Sequence, residues 1–138
     1  MIYFLGVISV LILFLISVIH FYWAFGGEWG ICGVIPTKTN KDKVINPPII
    51  ATVFVGLFLV LFALLYAEKL QIISMKFLPI FILNYGVYII ASIFLLRAIG
   101  DFKYVGFFKK IKNTQFAKND TMYFSPLCLF LGIVGMLI

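Results

Sequence analysis

The residues best suited to chemistry crowd into one stretch, His20-Phe21-Tyr22-Trp23-Ala24-Phe25-Gly26-Gly27-Glu28-Trp29-Gly30. It holds the only histidine, both tryptophans and one of the five acidic residues of the chain. Imidazole is the side chain that most readily exchanges protons at neutral pH. The paired glycines free the backbone to turn and to bring Glu28 back toward His20. His20 and Glu28 are therefore the candidate catalytic acid and base, with Trp23 and Trp29 as aromatic walls for a ligand. A second set lies far along the chain: Arg97, Asp101, Asp120 and Tyr123, all candidate ligand contacts. Arg97 and Asp101 are four apart at one helix end, a spacing that lets them pair. Asp120 stands just ahead of an uncharged run, where a carboxylate caps a helix N-terminus. No metal or cofactor is expected. Cys32 and Cys128 form no C-x-x-C pair, and one histidine does not complete a ligand set. There is also no Gly-rich phosphate loop and no Ser/His/Asp spacing.

These groups must be positioned by membrane helices. The chain is 64% hydrophobic and only 12% charged, about half the charge of a typical soluble domain. Residues 1–19, 49–67, 77–96 and 121–138 carry no charged side chain. Each run approaches or exceeds the ~17–25 residues that cross a bilayer as a helix. The first run is expected to be a membrane span and not a cleaved signal: it has no basic n-region, it is too long, and no small-x-small cleavage site follows. The spacing predicts an all-α membrane protein, a four-helix transmembrane bundle in one domain, 1–138, with spans at about 2–25, 48–67, 77–99 and 121–138.

A net charge of +6 would suggest nucleic acid in a soluble protein, but here it reads as topology. Lys38, Lys41, Lys43, Arg97, Lys103, Lys109, Lys110, Lys112 and Lys118 flank the first and third loops; the middle loop has Lys69 and Lys76. Nine against two places the long loops in the cytoplasm and both termini outside. Cys32 and Cys128 are then reduced thiols at the inner end.

Small and polar residues mark the packing stripes. These are Gly6, Ser9, Leu13, Ser17, His20 and Ala24 in span one; Thr52, Gly56, Ala63 and Ala67 in span two; Ser125, Cys128, Gly132 and Gly135 in span four. In span three the stripe is Asn84, Tyr88, Ala91, Ser92 and Leu95, with Asn84 expected to hydrogen-bond another helix. The first loop, with its apolar 28–35 half, is expected to fold back over the helix ends. The third interleaves aromatics with five lysines, as in a segment lying among lipid headgroups. Pro126 is expected to make the start of span four irregular.

Three stretches carry a resemblance: His20-x-Tyr22-Trp23-Ala24-x-Gly26-Gly27; Arg97-Ala98-Ile99-Gly100-Asp101-Phe102-x-Tyr104-Val105-Gly106-Phe107-Phe108-Lys109; and Phe116-Ala117-x-x-Asp120-Thr121-x-x-x-Ser125-Pro126-Leu127-Cys128. Together they resemble a family of small bacterial integral membrane proteins catalogued as domain of unknown function 3995. The resemblance implies a four-helix membrane protein of the bacterial plasma (inner) membrane, and it supplies no activity.

The residues themselves suggest a pocket at the cytoplasmic end for a small apolar or lipid-like molecule, with proton transfer as the chemistry if there is any. Partners would be the lipid bilayer and that ligand, with no nucleic acid. Two rivals remain. A transporter would have to form an oligomer, since four short spans are too few for a path, and the outer half is nearly apolar. A non-catalytic scaffold of a membrane complex would bury His20 as an inert group.

Overall fold

The computed structural model describes residues 1–27, 29, 48–100, 106, 108–110 and 115–138. The elements are α1 (Ile2–Ala24), α2 (Ile49–Lys69), α3 (Ile80–Ile99), α4 (Gln115–Asn119), a π-helical turn (Asp120–Phe124) and α5 (Ser125–Leu137). The last three run on without a break, so the chain has four membrane-length helices: Ile2–Ala24, Ile49–Lys69, Ile80–Ile99 and Phe116–Leu137.

The ends of the helices follow from local chemistry. Gly26, at φ +98°, ends α1 with paired bonds: its N–H reaches the Trp23 carbonyl at 3.1 Å, and the Gly27 N–H reaches the Tyr22 carbonyl at 3.0 Å. This is a Schellman cap, and it needs a left-handed residue at its centre. The end of α2 repeats the motif with Gln71 in the left-handed position, φ 61°. Pro48 and Pro79 precede α2 and α3, where a missing N–H is harmless.

The fourth span departs from expectation at its start. It begins at Phe116 rather than at 121, so Lys118 and Asp120 lie inside it. The expected irregularity is present and takes a specific form. The Ser125 N–H bonds the Asp120 carbonyl, five residues back, immediately before Pro126 breaks the ladder.

The helices pack most extensively as two pairs, α1 on α2 and α3 on α5. In the first pair Gly56 lets the Phe21 ring approach closely, and the Ser17 hydroxyl donates to the Gly56 carbonyl at 2.8 Å. In the second, a Cβ on Gly132 would sit 2.7 Å from Leu95 and 3.0 Å from the Ala91 carbonyl. The pairs are joined by Tyr66, which is fully buried and donates from α2 to the Leu131 carbonyl of α5 at 2.9 Å. Around it lies the core: Leu13, Leu59, Leu65, Val87, Ile90 and Leu131. Elsewhere Leu, Ile and Phe face outward, as lipid permits.

The predicted stripes of spans one, two and four face inward, with Gly6, Ser9, Leu13, Ser17, Ala24, Gly56, Ala63, Ala67, Ser125, Gly132 and Gly135 all buried. That of α3 is corrected in part: Ala91 and Leu95 meet Gly132 of α5, but the polar members do not face inward. Gly86, Val87, Ile90, Ala91 and Ala98 are its buried residues, while Asn84, Tyr88 and Ser92 are exposed. Ser92 satisfies its hydroxyl on its own helix, at the Tyr88 carbonyl (2.8 Å), and so needs no neighbour. Asn84 lies little more than a turn from the start of α3 and bonds no other helix among the described residues.

Candidate functional site

Asp120 opens the π-helical turn and has no exposed surface. It does not cap a helix, because α4 carries the helix on ahead of it. Its carboxylate is instead the hub of an ionic cluster. Oδ1 accepts from Arg97 Nη2 at 2.8 Å. Oδ2 accepts from the Gly106 N–H at 2.7 Å and from Lys109 Nζ at 3.1 Å. Charge inside a membrane helix persists when it is paired and fully hydrogen-bonded, and these partners meet both conditions.

Lys109 is 2% exposed. Its ammonium has three protons and finds three acceptors: the Gly106 carbonyl at 3.0 Å, Asp120 Oδ2 and Thr121 Oγ1. Gly106 makes the arrangement feasible. At φ +88° it lies against Ile99 and Gly100, where a Cβ would overlap the Ile99 carbonyl. The segment thereby folds back onto the end of α3 and delivers both its N–H and its C=O to the cluster.

Sequence reasoning missed Lys109, which it counted among the topology-setting lysines. Charge and spacing do not separate it from the exposed Lys110 beside it; only the resemblance, whose second stretch ends at Lys109, does. Arg97 was singled out, but with Asp101 as its partner. Asp101 lies outside the described residues, and Nη2 of Arg97 goes to Asp120, 23 residues away. The other terminal nitrogen of Arg97, Nη1, is buried and has no partner among the described residues; nor does the Ser125 hydroxyl.

His20, Trp23 and Trp29 form a separate group. His20 Nδ1 lies 2.8 Å from the Ile16 carbonyl. A carbonyl only accepts, so Nδ1 carries the proton and the neutral ring keeps its lone pair on Nε2. The ring stands edge-on to Trp23, centroids 5.2 Å apart. Trp23 Nε1 in turn donates to the Trp29 carbonyl at 2.8 Å, so the chain turns back just after the Schellman cap. Glu28 lies outside the described residues. Tyr123 is exposed on the π-helical turn. Among the described residues no hydrogen bond or ion pair links the His20 group to Asp120.

Beside the ionic cluster lies a shallow, mainly apolar cleft of about 330 Å³, lined by Ala117, Lys118, Thr121 and Met122. Thr121 is shared, since its hydroxyl also holds Lys109. Among the described residues no group of three or more His, Cys, Asp or Glu is placed to hold a metal ion. Cys128 is a half-buried free thiol.

A model of the family described as protein of unknown function (DUF3995) matches residues 13–135, most of the chain. No curated protein and no solved structure matches it.

Proposed function

We propose that this chain, which belongs to the DUF3995 family of proteins of unknown function, is a multi-pass protein of the bacterial plasma membrane that holds a small lipid-like molecule at the cytoplasmic end of its bundle. The observation that carries the reading is Asp120. A carboxylate with no exposed surface, inside a membrane-length helix and held by two cations, adjoins an open apolar cleft. Ionisable groups inside membrane spans are costly and mark functional sites by default, and an apolar cleft with a few fixed polar groups suits an amphipathic ligand.

In this reading Met122 and Ala117 take the apolar part of the ligand, and the cluster of Arg97, Lys109 and Asp120 lies next to the cleft, joined to its wall through Thr121. Trp23, Trp29 and Tyr123 belong to the aromatic rim at the same membrane face. His20, with Nε2 able to accept a proton, and Glu28 remain the acid–base pair if the bound molecule is transformed. The excess of basic residues flanking the two long loops supports a cytoplasmic site and external termini.

The test uses the full chain extracted in mild detergent and examined by native mass spectrometry. A retained lipid-mass adduct is expected on the native protein and should be depleted in Met122→Trp, which fills the cleft without touching the ionic cluster. A native protein that is bare under all mild conditions would overturn the reading and favour a scaffold.

A further inference from the structure

The ionic cluster is unbalanced in a way that specifies its ligand. We propose that the molecule held here has an oxyanionic head, a phosphate or carboxylate, and that Arg97 Nη1 and Ser125 Oγ receive it. The proposal rests on the reading of a lipid-like ligand above and adds the chemistry of the head.

Charge is the first observation. Among the described residues two cations, Arg97 and Lys109, face one carboxylate, Asp120. Lys109 has spent all three of its protons within the cluster. Arg97 has not. A guanidinium is a planar fork built to grip oxyanions with both terminal nitrogens. Here Nη2 holds Asp120 Oδ1, and Nη1 is buried without a partner.

Ser125 is the second and independent observation. It has no exposed surface, and its hydroxyl is unpartnered. A serine hydroxyl in a helix can bond the carbonyl four residues back. Ser9 does so at Leu5, and Ser92 at Tyr88. Ser125 makes no such bond, while its N–H, in the π-helical turn, reaches five residues back to the Asp120 carbonyl. Arg97 Nη2 holds the Asp120 carboxylate and the Ser125 N–H holds the Asp120 main-chain carbonyl, so both unmet polar groups belong to residues bonded to Asp120. Both can donate. A cationic or neutral apolar head would leave Nη1 unpaired, whereas an oxyanion satisfies both. Lys118, in the wall of the adjoining cleft, supplies a further cation on the approach.

The head could belong to an anionic phospholipid or be a free anion, and the experiment separates them. The thermal unfolding of the full chain in detergent is followed while phosphatidylglycerol, diacylglycerol or inorganic phosphate is titrated in. Phosphatidylglycerol should raise the unfolding temperature at lower concentration than diacylglycerol, which has the same chains and no oxyanion. Ser125→Ala should weaken that response about tenfold, as the loss of a hydrogen bond to a charged group does. Arg97→Lys should weaken it too, because the fork is gone. Lys110→Gln, at an exposed lysine, should leave it unchanged. A response to inorganic phosphate alone that is lost in Ser125→Ala supports the same site with a free anion as ligand. Equal responses to the two lipids, with Ser125→Ala indifferent, overturn the anionic head and leave the lipid-like reading standing; the Ser125 hydroxyl then meets a structural water only. An absence of any response to lipid, together with a protein bare of adducts, overturns both.

Discussion

At the scale of single residues the molecule turns on Asp120. Replacing it with Asn keeps the shape and removes the charge that holds Arg97 and Lys109. Breaking one partner out of a buried ionic set leaves charges stranded and typically costs about 3–5 kcal/mol. Asp120→Asn should therefore lower the unfolding temperature strongly in detergent. Lys110→Gln, at an exposed position, should not. A loss below about 1 kcal/mol for Asp120→Asn would mean the cluster is surface-like and screened. The sequence singled out Arg97 and Asp120 as residue types. It could not pair them, because the nearer Asp101 offered the helical spacing that pairing rules recognise. Lys109 was illegible for a different reason. Its burial is created by the turn at Gly106, and a left-handed glycine in a loop announces a turn without saying what it will enclose.

At the scale of elements the sequence was more informative where packing depends on the absence of side chains. The small residues of spans one, two and four predicted which faces close together, because helices in lipid associate by close approach. Gly135 is the sharpest case. A Cβ there would overlap the Tyr66 hydroxyl and lie 2.8 Å from the Ala91 Cβ. Gly135→Ala should cost about 1–3 kcal/mol, as overpacking does, and should disturb the Tyr66 bond to Leu131. Circular dichroism melts of Gly135→Ala against the native protein check this, and an unchanged melt would show that the α3–α5 seam can open. Polar residues were the poorer guide. In α3 the stripe through Asn84, Tyr88 and Ser92 faces outward, since a serine can bond its own helix and an asparagine near a helix start has no need to reach inward. The start of the fourth span was misplaced for a related reason. Charge was taken to end a membrane run, whereas Asp120 continues it with its partners supplied from elsewhere in the chain.

At the scale of the whole molecule, hydropathy alone made the four spans legible, because burying the backbone in lipid leaves the helix as the economical solution. Their partnership was not legible. Periodicity gives a face to each helix but no neighbour. The structure pairs α1 with α2 and α3 with α5, each pair joined by a long basic loop, and the short segment between α2 and α3 links the two pairs. If the pairs are stable units, residues 1–76 and 77–138 expressed as separate chains should reassemble and co-purify through a tag on either one. Fragments that insert but never associate would show that the connection, rather than the Tyr66 seam, holds the pairs together.

The π-helical turn at Asp120–Phe124 also makes this protein sensitive to counting. Each residue advances a helix by about 100°. The wide turn stores one surplus residue between the ionic cluster and the small face of α5. Deleting any one of 121–124 would keep Arg97, Lys109 and Asp120 in the chain, yet rotate Asp120 by roughly a quarter of a circle relative to Gly132 and Gly135. The carboxylate would then look past its partners while the seam with α3 stayed shut. Alignment of the polar end with the membrane-embedded seam is thus a matter of phase. Chain length across those few residues sets it, so an insertion or deletion there should be less well tolerated than many substitutions.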